Sequence, residues 1–208
     1  MLQISTIEPA TLALVKQLMQ IPELNDFNLV GGTALALKHG HRKSVDLDLF
    51  STKDFNNETI AEVLSKNFPS FSYQSINNPI GLFCFIDGVK IDLVRYHKFP
   101  LLKEPSNIDG IRILSDEDII AMKINAILRR AVKKDFWDLS ELLNKYSLSA
   151  CIDFYHQKYK EQVLLISIPK ALTYFDDAEE SEAPISLKKQ TWERVKKNIQ
   201  QKVSAFLL

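Results

Sequence analysis

The sequence predicts an α/β (α+β) fold in which a mixed sheet with flanking helices is followed by a helical C-terminal lobe. Two patterns favour this architecture. Short apolar runs bounded by turn residues dominate the first half, and apolar residues at helical spacing dominate from Ser115 onward. We therefore expect a sheet-containing core over residues 1–108 and a helical lobe over residues 109–208 that completes a cleft.

The first elements are two helices with a strand between them. Apolar spacing predicts a helix over residues 6–20 that stops before Pro22. The run FNLV predicts a buried strand that leads into a glycine pair. The segment TALALK then predicts a short helix with Thr33 near its start and Gly40 closing its end.

A second strand, a helix and a hairpin follow. VDLDLF at residues 45–50 predicts the strand, and residues 54–66 predict the helix. Asp87-Gly88 stands between two apolar runs, as a type I′ turn requires. This dipeptide predicts hairpin strands near residues 81–86 and 89–95.

The second half reads as helices separated by loops. Ser115 can cap a helix whose first turn is acidic, and one or two long helices should follow it. A further helix is expected over residues 151–164, and an amphipathic helix ends the chain. The acidic segment DDAEESE, residues 176–182, predicts a solvated loop.

Charge and cysteine content narrow the function classes. The formal net charge is zero, so nucleic-acid binding cannot depend on a global basic excess. Cys84 and Cys151 lie far apart and outside any C-x-x-C motif, so we expect two buried, reduced thiols. No signal-peptide pattern and no apolar stretch of membrane-spanning length is present, so we expect a cytoplasmic protein without a membrane partner.

Two aspartates interrupt the strand VDLDLF, although carboxylates are unfavourable on strands. Because side chains alternate along a strand, Asp46 and Asp48 should share one face while Val45 and the leucines point into the core. Carboxylates so spaced can bind divalent cations such as Mg²⁺. Asp92, on the returning strand of the hairpin, is the candidate third ligand. The alternative is a solvated face on an edge strand.

The glycine pair adds a candidate phosphate site. Gly31 and Gly32 would let the backbone approach a phosphate closely, and the helix beginning near Thr33 would offer free N–H groups to it. The Thr33 hydroxyl would add a donor. Arg42, in the loop before the aspartates, would lie near the same phosphates. A glycine pair can also be a plain turn, and the basic loop can simply be solvated.

Apolar residues nearly surround Lys123 on its predicted helix, so this part of the helix should be buried. The ammonium group of a buried lysine needs an anionic partner. Asp135 and Asp138 are three apart and share one side of the next helix. Either of them, or a bound triphosphate, could be the partner. A purely structural ion-pair cluster between the two helices is the alternative.

These motifs together resemble a known family. VGGTALALKHGHRKSVDLDLF is similar to the nucleotidyltransferase-fold signature h-G-[GS]-x-D-h-D-h, and in particular to the first motif of the AbiEii/AbiGii toxins of type IV toxin–antitoxin and abortive-infection systems. AMKINAILRRAVKKDFWDLSELL resembles the second block of that family, and TYFDDAE also looks like a segment of relatives.

The resemblance implies a role for each matching residue. The implied catalytic set is Asp46, Asp48, Asp92, Lys123 and Asp135. The implied nucleotide-binding set is Gly31, Gly32, Thr33, Arg42, Lys123, Arg130, Lys134 and Asp138. The implied Mg²⁺ ligands are Asp46, Asp48 and Asp92.

The implied activity is a Mg²⁺-dependent transfer of a nucleoside monophosphate from an NTP to a hydroxyl acceptor. RNA, with a tRNA 3′ end as the leading candidate, would be that acceptor, and an antitoxin would be encoded nearby. Two alternatives stay open: a nucleotidyltransferase that acts on a small molecule such as an antibiotic, and a catalytically silent nucleotide-binding or interaction protein.

Overall fold

The computed structural model describes residues 1–208 and contains one sheet of seven strands. The strands are β1 (Phe27–Val30), β2 (Leu47–Ser51), β3 (Ser72–Tyr73), β4 (Gly81–Ile86), β5 (Val89–Arg95), β6 (Ser106–Ile108) and β7 (Ile111–Ile113). Their order across the sheet is β3-β4-β5-β2-β1-β7-β6. The pairs β2–β5 and β1–β7 are parallel and the others are antiparallel. The predicted mixed sheet is confirmed.

Eight α-helices accompany the sheet, and five of them lie after residue 115. They are α1 (Pro9–Leu18), α2 (Gly31–His39), α3 (Asn57–Asn67), α4 (Asp116–Arg129), α5 (Lys133–Leu142), α6 (Leu148–Lys158), α7 (Ile168–Leu172) and α8 (Trp192–Leu207). Single 3₁₀ turns cover Ile4–Thr6, Pro22–Leu24 and Asp176–Ala178. None of these helices combines the length and apolar character that a membrane crossing requires.

Local turn and cap chemistry places several elements where the sequence predicts them. Gly40 closes α2 with φ of 65°, a left-handed conformation that suits glycine. Asp87 and Gly88 have φ of 50° and 77°, as the predicted hairpin turn requires. The Ser115 hydroxyl accepts a hydrogen bond from the Asp118 N–H at 3.0 Å and so caps α4.

The aspartate strand begins later than predicted. The expectation that Val45 points into the core is wrong, because β2 starts at Leu47 and Val45 is 63% exposed. The reason is nonlocal. The preceding backbone is held elsewhere, since the Lys43 N–H donates to the Ile185 carbonyl and the Ser44 N–H donates to the Thr6 carbonyl. Asp46 therefore lies in the approach to the strand and Asp48 lies within it.

The hairpin β6–β7 is absent from the sequence prediction, and the proposed division at residue 108 falls between its two strands. β7 pairs with β1, so the sheet takes one strand from beyond that division. A continuous core of 50 buried residues extends through both halves. We propose that the chain has two lobes, residues 1–108 and 109–208, which share this one core.

The remaining helix predictions hold with shifted ends. The helix expected over residues 151–164 is α6, which begins and ends earlier, and α8 buries Val195, Ile199 and Val203. The acidic segment is only in part the solvated loop that the sequence predicts. Asp176 and Asp177 are exposed, but Asp176–Ala178 forms a 3₁₀ turn that buries Ala178, and Ser181 is hydrogen-bonded to Lys133. Both cysteines are free and buried, and burial raises the pKa of each thiol to about 12.

Candidate active site

Three neighbouring strands bring the glycine turn and two carboxylates to one level of the sheet. Val30, the last residue of β1, pairs with Asp48 on β2, and Asp48 pairs with Asp92 on β5. Adjacent strands lie about 4.8 Å apart, so the two aspartates are direct neighbours. The sheet topology therefore assembles residues that are more than 40 positions apart in the chain.

Gly31 follows β1 at once and touches Asp48. It has φ of 69°, and a β-carbon added there would collide with the Asp48 carboxylate. The turn starts α2, whose N-terminus has no side-chain cap, so its first N–H groups are free for an anion. A β-carbon on Gly32 would collide with the guanidinium of Arg42. The positive φ and the close contact thus favour glycine at position 31, whereas a larger residue at position 32 would have to displace the Arg42 guanidinium.

The Asp48 and Asp92 carboxylates interact unfavourably in the absence of a cation. Burial, followed by the charge of Asp92, raises the pKa of Asp48 above its ordinary value. The Lys90 ammonium binds one Asp92 oxygen at 2.6 Å, while the other oxygen, Oδ1, is buried without a hydrogen-bond partner. An unpaired buried carboxylate oxygen beside a second carboxylate fits a hard divalent cation.

Asp46, unlike Asp48, is held through its backbone carbonyl. Its backbone carbonyl accepts a hydrogen bond from the Thr33 hydroxyl, which also lies 2.8 Å from the Ser44 hydroxyl. Thr33 is only 1% exposed. The structure therefore shows the threonine hydroxyl fixing the loop before β2 against α2, whereas the sequence predicts a donor to phosphate.

The acidic residues form an open set of ligands. No three His, Cys, Asp or Glu side chains stand close enough together to hold a metal ion. Mg²⁺ commonly takes only one or two protein carboxylates and completes its coordination with phosphate oxygens and water. Asp48 and Asp92, with Asp46 at the edge, fit that mode.

Behind the glycine turn lies a buried network of cations and carboxylates. Asp138 accepts from Arg42 Nε at 2.6 Å and from Arg42 Nη2 at 2.9 Å, and it contacts His41 Nε2 at 2.7 Å. Lys123 Nζ lies 2.7 Å from Asp138 and 2.9 Å from Asp135. Arg130 donates to Asp135 from the outer side. Lys123 thus has both predicted carboxylate partners.

The charges of this network are mutually stabilised. Burial alone would raise the pKa of Asp138, but Lys123 and Arg42 hold that pKa well below its ordinary value. Burial alone would lower the pKa of Lys123, but Asp138 and Asp135 raise it. The network therefore stays ionised. Arg42, predicted to bind nucleotide, is 4% exposed and committed to Asp138, so it supports the glycine turn from behind.

The site opens into a cleft of about 430 Å³. Of the predicted site residues, the cleft is lined by Gly32, Thr33, Arg42, Asp46, Asp48, Lys123, Arg130 and Lys134, whereas Asp92 is not part of this lining. Lys134 is exposed and makes no side-chain hydrogen bond. The segment Ser181–Ile185, which we term the strap, also lines the cleft. Sequence reasoning missed the strap as a site element, because only nonlocal contacts bring it there.

Comparison with solved structures identifies the fold. MenT4, a nucleotidyltransferase toxin from Mycobacterium tuberculosis, aligns with a TM-score of 0.60 at 16% identity, and the alignment covers 93% of this chain and 82% of the MenT4 chain. A putative nucleotidyltransferase from H. pylori aligns with a TM-score of 0.51 at 20% identity over 96% of this chain and 97% of the neighbour. The antibiotic-resistance factor ANT(2'')-Ia aligns with a TM-score of 0.51 at 16% identity over 70% of this chain and 88% of the neighbour. The fold is that of the nucleotidyltransferases.

The family follows from sequence. The family model described as nucleotidyl transferase AbiEii toxin, type IV TA system, matches residues 12–206. An uncharacterized protein of Aquifex aeolicus is 38% identical over 190 residues, which cover 88% of this chain and 89% of the relative. The chain belongs to the AbiEii family and is a nucleotidyltransferase.

Proposed function

We propose that this protein transfers a nucleoside monophosphate from an NTP to a hydroxyl group of RNA, releases pyrophosphate, and depends on Mg²⁺. A tRNA 3′ end is the leading acceptor. The proposed setting is the cytoplasm, where the chain acts as the toxin of a type IV pair with a linked antitoxin. Membership of the AbiEii family supports the toxin role.

The observation that carries this proposal is the arrangement of Asp48 and Asp92 beside the free N-terminus of α2. The carboxylates would hold the cation, which neutralises the triphosphate and activates the leaving group. The N–H groups of Gly32 and Thr33 would bind phosphate oxygens, and Lys134 would add a positive charge at the cleft wall. An acceptor hydroxyl placed near Asp92 would give its proton to that carboxylate as it attacks the α-phosphorus.

Lys123 and Arg130 have a supporting part in this scheme. Both are already bonded to Asp135, so each can offer only its remaining N–H groups to a phosphate. Their carboxylate partners fix the direction of those groups. We propose that Asp135 and Asp138 act through these cations rather than on the substrate.

The test is incubation of the purified protein with each α-³²P-labelled NTP, Mg²⁺ and total cellular RNA. The Asp46→Ala, Asp48→Ala double variant serves as the control. A labelled RNA band that is absent from the control is expected. Label in the control would contradict the assignment of the site. If RNA stays unlabelled while an added antibiotic is labelled, the acceptor is a small molecule; binding of NTP without any transfer would favour the silent-binder alternative.

A further inference from the structure

Hydrogen bonds fix both ends of the strap, whereas the backbone groups in its middle have no hydrogen-bond partner. At one end the Ser181 hydroxyl accepts from the Lys133 N–H at 2.8 Å, and Lys133 Nζ donates to the Ser181 carbonyl. At the other end Ile185 accepts from the Lys43 N–H, and Leu187 donates to the His41 carbonyl. The backbone groups of Glu182 and Ala183 make no intrachain hydrogen bond.

The strap and the loop before β2 form an apolar lip on the cleft. Ile185 is 70% exposed and Val45 is 63% exposed, and both line the same cavity, together with Ala183 and Pro184. Exposed apolar residues are ordinary when isolated, but these four line one cleft whose remaining lining is mostly polar and charged. The lip is held in place, because Ile185 lies in a two-stranded pairing of residues 41–43 with residues 185–187.

The charged residues of the strap differ from those of the rest of the cleft. Five cations line the cleft, Arg42, Lys43, Lys123, Arg130 and Lys134, and Lys43 adjoins the strap because its N–H donates to the Ile185 carbonyl. The strap itself carries one charged residue, Glu182, which has no salt-bridge partner. A carboxylate beside a triphosphate would be repelled unless the two shared a cation, as we propose for Asp48. The strap is therefore suited to the uncharged part of a nucleotide, whose apolar base faces can pack on the lip and whose amino or amide edge can bind Glu182 or the free backbone groups.

We propose that the strap and Val45 form the nucleoside-binding subsite, in which the base of the NTP packs on Ile185 and Pro184. This inference depends on the proposed function, and it assigns the residues that bind and select the base. The strap residues lie outside both sequence motifs, so base preference can change without change in the catalytic carboxylates.

The experiment compares Ile185→Ser with Leu187→Ser. Leu187 is the matched control, because it is an apolar neighbour of the strap with 40% exposure that does not line the cleft. Binding of each NTP and of inorganic tripolyphosphate is measured by calorimetry in the presence of Mg²⁺. Tripolyphosphate carries the phosphate chain without a nucleoside. Thermal unfolding checks that both variants fold.

Ile185→Ser should weaken NTP binding by about tenfold, the scale of a lost apolar contact in a binding pocket, and should leave tripolyphosphate binding unchanged. Leu187→Ser should change neither. Equal weakening of both ligands, or unchanged NTP binding, would overturn the proposal. If the wild-type protein transfers no nucleotide to any acceptor but the NTP-specific binding loss is still seen, the proposed function fails and the subsite stands.

Discussion

At the scale of single residues, Asp48 combines a structural cost with the cation-binding role that we propose for it. Its pKa is raised by burial and by Asp92. A carboxyl group whose pKa is raised by folding stabilises the fold below its unfolded pKa, and this contribution is lost as the pH rises through the folded pKa. Above the folded pKa, the ionised Asp48 therefore opposes folding, and a bound cation would relieve that cost.

The substitution Asp48→Asn should raise the melting temperature of the metal-free protein at pH 7, because it removes a buried charge next to Asp92. Nucleotide transfer should fall by at least about a hundredfold, the scale of losing one preorganised electrostatic contact. Added MgCl₂ with NTP should raise the melting temperature of the wild type only. Differential scanning fluorimetry and the labelling assay measure these effects.

The control for Asp48→Asn is Asp26→Asn, at an exposed position paired with Lys53. That substitution should alter neither melting temperature nor turnover. A clear fall in the melting temperature of metal-free Asp48→Asn would show that favourable contacts hold the carboxylate, and it would contradict the conclusion that its charge opposes folding.

Gly31 allows a second test at this scale. Gly31→Ala places a β-carbon against the Asp48 carboxylate and costs about 1–2 kcal/mol of backbone strain. We expect loss of nucleotide transfer with mild destabilisation. Gly110→Ala is the matched control, because Gly110 also has positive φ, of 83°, but has open space around its α-carbon. Equal activity in the two variants would show that the Gly31 contact is unimportant.

At the scale of elements, Asp138 joins three parts of the chain. It binds Arg42 from the loop before β2, Lys123 from α4, and lies itself on α5. Removing one partner of a buried ion cluster leaves uncompensated charge. Asp138→Ala should therefore lower the free energy of unfolding by about 3–5 kcal/mol, measured by urea denaturation.

The comparison for Asp138→Ala is Asp26→Ala, which breaks an exposed ion pair with Lys53 and should cost about 0–1 kcal/mol. Similar losses in the two variants would mean that the buried cluster contributes no more to stability than a surface pair.

The acid dependence of stability gives a separate test of the same cluster. Because folding holds the pKa of Asp138 well below its ordinary value, its contribution is present above the unfolded pKa and is lost as the pH falls through the folded pKa. The wild type should lose stability as the pH falls below about 4. Asp138→Asn should show a shallower loss over that range in urea titrations, and an unchanged pH slope would contradict the assignment.

Elements with a local chemical signal were predictable from the sequence. Gly40, the Asp87-Gly88 turn and the Ser115 cap each fix a boundary through their own backbone or side-chain chemistry. The hairpin β6–β7 was missed because each strand has only three residues, too short for a periodic pattern.

The site was predictable where it depends on motifs and not where it depends on distant segments. The motif spacing indicated Asp48, Asp92 and the partners of Lys123. The exposure of Val45 and the position of the strap follow from pairing between residues 41–43 and 185–187, more than 140 positions apart. No pattern within either segment reports that pairing.

At the scale of the whole molecule, the two proposed lobes are bound through the central sheet. β7 supplies the parallel neighbour of β1, and the Leu114 N–H donates to the Leu29 carbonyl. Arg112 donates to the carbonyls of Phe27, Met19 and Leu24. The first lobe alone would therefore expose an edge of β1 and three unpaired carbonyl groups.

These contacts predict that the full chain unfolds in one cooperative transition and that residues 1–108 do not fold alone. Calorimetric and van't Hoff enthalpies should agree for the full chain, and the fragment should show no cooperative melting by circular dichroism. Residues 1–109 and 110–208 produced together should associate and regain the transition, because the cut then lies in the open β6–β7 turn. Two separate transitions in the full chain, with a folded 1–108 fragment, would instead establish the lobes as independent domains, and the cleft between them would then be free to open without breaking the core.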